Sequence, residues 1–132
     1  MKYMLLMQAS ERIEGPPIHT WDPADVKAHI QFMHDFNTKL VADGEFVDAQ
    51  GLAGPEEAKV VRASKTGAPE VTDGPFPESK EFLAGFWVID VDGLDRAIEV
   101  AAAISLAPGA GGVALNLPIE VRQVMSAPSA DA

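Results

Sequence analysis

The chain has 132 residues, with 10 Lys and Arg set against 20 Asp and Glu for a net charge of -10, and it contains no cysteine. The length fits one domain with a real core, expected over residues 1–125, and a disordered tail from Ser126 to Ala132. The acidic balance disfavours direct nucleic-acid binding, and the missing cysteines exclude disulfides and thiolate metal sites or nucleophiles, as suits a reducing cytosol.

Lys2 to Gln8 carries apolar side chains on both faces, the pattern of a strand buried from two sides. Its apolar run is too short for a secretion signal, and no segment approaches the roughly 20 apolar residues of a membrane span. The expectation is therefore a cytoplasmic protein with no membrane partner. After a polar connection from Ser10 to Thr20, a helix is predicted over Pro23 to Asp43. Asp22 can cap its free amides, Pro23 suits its first position, and Asp25 complements its dipole. Val26, Ile30, Met33, Phe36 and Leu40 recur at helical spacing, and Gly44 supplies a stop.

Glu45 to Gln50 reads as a strand and Gly51 to Glu57 as turn-rich. Lys59 to Ser64 and Pro69 to Thr72 flank Thr66-Gly67 as a short hairpin. Phe82 to Val91 is the clearest strand. Strict alternation places Leu83, Trp87, Ile89 and Val91 on one face, with Phe82, Ala84, Phe86 and Val88 on the other. Asp92 can cap a second helix ending near Ser105, with Leu94, Ala97, Ile98, Ala101 and Ile104 as its apolar stripe. Pro108 to Gly112 reads as a flexible loop and Leu117 to Val124 as the last strand.

The order β-α-β, hairpin, β-α-β is the split βαβ pattern of an α+β, ferredoxin-like fold with an extra hairpin. Helices cover one face of such a sheet. The apolar second face of Phe82 to Val91 then calls for a partner, which points to a face-to-face homodimer enclosing a cavity for a small molecule.

The segment Asp73-Gly74-Pro75-Phe76-Pro77-Glu78-Ser79-Lys80-Glu81 places a carboxylate on a stiff turn before that strand. The prolines fix their own φ and push the residues before them toward extended conformations. Asp73 either serves a site from this turn or hydrogen-bonds the turn itself. With MKYMLLM at the start, FNTKLVADGEFVDAQGL from Phe36, VTDGPFPESKEFLAGFWVIDV from Val71 and IEVRQVM from Ile119, the chain resembles the DGPF-type proteins of the YCII-related superfamily from Met1 to about Met125. Members more often read DGPFAETKE. Pro77 and Ser79 depart from that pattern, while Asp73, Glu78, Lys80 and Glu81 keep it. The resemblance implies a dimeric α+β barrel without assigning a reaction. For the broader superfamily it implies catalysis by a His of the first helix with an Asp, and for DGPF relatives a regulatory role beside extracytoplasmic-function sigma factors.

Asp73 is thus the candidate catalytic residue, as general base or hydrogen-bond anchor. His34 is a weaker one. His29 and His34 lie about 140° apart on a helix and cannot share one face, and His34 does not face its neighbour Asp35. Lys80, between Glu78 and Glu81, is a candidate anion contact whose plainer reading is a solvated salt-bridge cluster. Arg122 can either enter a cavity to receive an anion or pair with Glu120 on its own face. No metal motif or Gly-rich phosphate loop is present, so no cofactor is expected. Three readings stay open: a ligand-binding or enzymatic dimeric barrel, a regulatory accessory protein, and a domain whose task is dimerisation.

Overall fold

A computed structural model describes residues 1–10, 18–74 and 81–125. The elements follow in the order β1 (Lys2–Ser10), α1 (Pro23–Ala42), β2 (Phe46–Gly51), β3 (Lys59–Arg62), β4 (Glu70–Asp73), β5 (Glu81–Asp90), α2 (Leu94–Ser105) and β6 (Ile119–Gln123). Four strands form one antiparallel sheet in the order β2-β5-β1-β6, while β3 and β4 form a separate two-stranded ribbon. Each helix connects two strands with a third inserted between them, as in the split βαβ arrangement. The fold is α+β and ferredoxin-like, as the order of elements predicts. The expected tail from Ser126 lies outside the described residues.

Local signals explain the ends of α1. Pro23 occupies its first turn, and the backbone carbonyl of Asp22 accepts from the N–H groups of Asp25 and Val26. The Asp22 carboxylate, expected to cap the helix, makes no capping bond. At the other end Gly44 adopts φ 73°, and the N–H groups of Gly44 and Glu45 donate to the carbonyls of Val41 and Leu40. This paired closure requires a left-handed residue, which glycine supplies without a Cβ penalty. In α2 the N-cap is Gly93 and not Asp92, one residue later than the sequence suggests.

The core lies between the helices and one face of the sheet. Leu40 of α1 and Ala97, Val100, Ala101 and Ile104 of α2 pack with Tyr3, Leu5, Trp87, Ile89 and Val91. Leu5 and Ile89 are completely buried, and their full removal from water contributes about 1.5–3 kcal/mol each. Trp87 Nε1 donates to Asn37 Oδ1 at 2.9 Å, so the indole enters the core with its polar atom satisfied.

Two register shifts decide what the second face carries. Between Met7 and Gln8, β1 slips against β5, so that Gly85 opposes Met7 and Leu83 opposes Gln8. The slip brings Leu83 to the Gln8 side and Phe82 to the Ala9 side, a correction to strict alternation. Gly85 is required there: a Cβ would lie 2.9 Å from the carbonyl oxygen of Gln50. A second shift, between Phe46 and Asp48, leaves Phe46 opposite Ile89 and sets Asp48 opposite Val88.

The Pro108–Gly112 segment, expected to be flexible, is tightly bonded. Gly109 donates to Val113, Leu115 to Ala107, and Asn116 to Ser105, all through backbone N–H groups. Two side chains of α1 tie it down: His29 Nδ1 lies 2.9 Å from the Pro108 carbonyl, and Asp25 Oδ2 accepts from the Gly111 N–H at 2.9 Å.

Candidate functional site

Residues opposite one another in an antiparallel ladder share a face. One row therefore runs Asp48–Val88–Met4–Arg122 across the sheet, and the next runs Gln50–Phe86–Leu6–Glu120. Both rows point away from α1 and α2, because Tyr3, Leu5, Ala49, Trp87, Ile89 and Val121 point toward them. The centre of this open face is apolar and half-buried. Its β2 edge carries Asp48 and Gln50, and its β6 edge carries Glu120 and Arg122.

The residues singled out from the sequence are distributed over three regions. Asp73 ends β4 opposite Lys59, its side chain is 86% exposed, and Lys59 Nζ donates to its Oδ1. The pairing spans the ribbon, from β3 to β4. Gly74 continues the link by donating its N–H to the Ala58 carbonyl. Lys80 and Glu78 lie outside the described residues. His34 is exposed on α1, on the helical side of the sheet, where its carbonyl accepts from Thr38 Oγ1. His29 is held between the Pro108 carbonyl and the Trp21 ring, whose centroid lies 5.7 Å away in an edge arrangement. It is a brace for the loop.

Arg122 belongs to the open face, and its Nε lies 3.8 Å from Glu120 Oε1. Of its two sequence readings, the structure shows the pairing with Glu120, and the register sets Arg122 at the border of the apolar centre. Asp48 and Gln50 escape sequence reasoning. Strict alternation from Phe46 would turn both toward the core, and the shift at Val47 turns them outward. Asp48 Oδ1 accepts from the Ala49 N–H at 2.9 Å and from Gln50 Nε2 at 3.1 Å. These bonds fix the carboxylate beside Val88.

The strongest electrostatic unit stands elsewhere. Arg96 donates through Nε and Nη2 to the two carboxylate oxygens of Glu45, at 2.9 and 2.8 Å, and through Nη1 to Glu99. The hydrogen bonds from Arg96 hold the Glu45 carboxyl below its ordinary pKa against the opposing effect of burial, and those to Glu45 and Glu99 raise the guanidinium. A depression of about 640 Å³ adjoins it, lined by Glu45, Asp92, Gly93, Leu94, Asp95, Arg96 and Glu99. Arg96 is engaged by both Glu45 and Glu99, so the unit joins α2 to the start of β2. Among the described residues no three His, Cys, Asp or Glu side chains form a metal-holding group, and no helix is long and apolar enough to cross a membrane.

Residues 1–120 match the YCII-related domain. The chain belongs to that family. The match takes in the whole four-stranded sheet up to the start of β6 together with both helices. This YCII-related protein is also 30% identical over 105 residues to an uncharacterized protein of Rhizobium meliloti (strain 1021), covering 80% of this chain and 81% of that relative.

Proposed function

We propose that this YCII-related protein is of the DGPF type and binds a small molecule on the open face of its sheet, which a second copy covers. The observation that carries the reading is the register: Met4, Leu6, Phe86 and Val88 form one apolar centre on the side opposite the helices. An antiparallel sheet with helices on one face tolerates water on the other when that face is polar. Here it is apolar at the centre and polar at the rim, the layout of a recognition surface. Two such faces in apposition enclose a cavity with polar groups at its margins.

Asp73 takes a marginal place in this reading. The ribbon joins the end of β2 to the start of β5, so Asp73 and Lys59 form a neutralised pair at its base. Arg122 and Lys80 are the proposed contacts for any acidic group of the ligand. The lack of cysteine fits action in a reducing cytoplasm. NMR screening of a fragment library against the labelled protein tests the proposal. Hits should shift the amides of Met4, Leu6, Phe86 and Val88, whereas hits confined to the helices or to the Glu45–Arg96 depression would overturn it.

A further inference from the structure

We infer that the open face selects flat apolar ligands bearing a cationic or hydrogen-donating nitrogen, which Asp48 receives. This rests on the small-molecule reading above and adds the chemistry of the ligand. Three carboxylates deserve comparison. Asp73 is engaged by Lys59, and Glu120 stands 3.8 Å from the guanidinium of Arg122, so both already have a cation beside them. Asp48 has none.

The two bonds that Asp48 accepts, from the Ala49 N–H and Gln50 Nε2, both end on Oδ1, and Oδ2 accepts none from the described residues. Oδ1 is thus the anchor and Oδ2 the free acceptor. Beside it stand Val88 in the same row and Phe86 opposite Gln50 in the next, so a planar ring lying on them can present an N–H to Oδ2. A carboxylate beside apolar surface binds a cation more strongly than one in bulk water, because the local dielectric is lower. The Phe86 ring adds attraction for a cation placed over its face. The net charge of -10 acts in the same direction by drawing cations toward the molecule and repelling anions.

Benzamidine and benzoate, matched in shape and opposite in charge, separate the possibilities. In titrations followed by amide shifts, benzamidine should perturb Asp48, Gln50, Phe86 and Val88 and bind at least tenfold more tightly than benzoate. Asp48→Asn keeps an oxygen for the Ala49 N–H but removes the charge, and it should lower benzamidine affinity by about tenfold or more. Equal shifts on the open face from both probes would overturn the charge preference and leave the open-face site standing. Shifts from neither probe on that face would overturn both readings. Undiminished benzamidine binding by a folded Asp48→Asn protein would overturn the role of Asp48.

Discussion

The two faces of the sheet are built from the same strands and similar apolar residues, yet they are closed to different extents. On the helical side Tyr3, Leu5, Trp87, Ile89 and Val91 are buried beneath the helices. On the other, Met4, Leu6, Phe86 and Val88 are only half-buried. Alternation along a strand gives each face its own set of residues, so one face can serve folding while the other keeps apolar surface for recognition. The difference is one of closure and not of composition.

Truncations on the two faces should therefore differ most. Ile89→Ala opens a cavity in a closed core and should cost about 2–5 kcal/mol in urea unfolding. Leu6→Ala removes a side chain of similar size from the open face and should cost about 1 kcal/mol or less of folding stability in dilute solution. Similar losses at the two positions would erase the contrast.

The next effect concerns the polar atom that the closed face buries. Asn37→Ala leaves Trp87 Nε1 without its acceptor and should cost about 1–3 kcal/mol, read by thermal unfolding at fixed pH. No change would mean that the indole finds another partner.

A smaller effect belongs to Glu45 and Arg96. The pair is two-pronged but partly exposed, so solvent screening limits it to about 1 kcal/mol. Because the folded pKa of Glu45 is lowered, its contribution is present above the unfolded value of about 4.3 and disappears as pH falls through the folded value. Glu45→Gln should accordingly be less stable than the parent at pH 7 and equal to it in strong acid. A difference independent of pH would assign the loss to packing.

The smallest effect is expected at Asp73. Its pair with Lys59 is exposed, so Asp73→Asn should change stability by about 0.5 kcal/mol or less. Lost ligand binding in that folded variant would move Asp73 from the margin of the site to its centre.

Sequence legibility follows the same division between the faces. The fold was legible because helical spacing, Pro23, Gly44 and the apolar run in β5 each act locally. The closed core was legible through Leu40, Trp87 and Ile89, whose burial follows from those periods. The open face was legible at its centre and not at its β2 edge. Asp48 reaches that edge through a one-residue slip at Val47, and Leu83 changes sides through another beyond Gly85. Such slips are set by pairing between strands distant in sequence, which alternation along one strand does not encode. The tightness of the Pro108–Gly112 segment was hidden for a related reason: its anchors, Asp25 and His29, lie on α1.

Whether the open face joins two copies is read by sedimentation equilibrium of the wild-type protein beside Leu6→Glu at micromolar concentration. The added carboxylate would lie within the apolar centre of the interface, where burying an unpaired charge is costly, while leaving the helical core untouched. The wild-type protein should be a dimer and Leu6→Glu a folded monomer. A monomeric wild-type protein, or a Leu6→Glu protein that remains a dimer, would contradict this association.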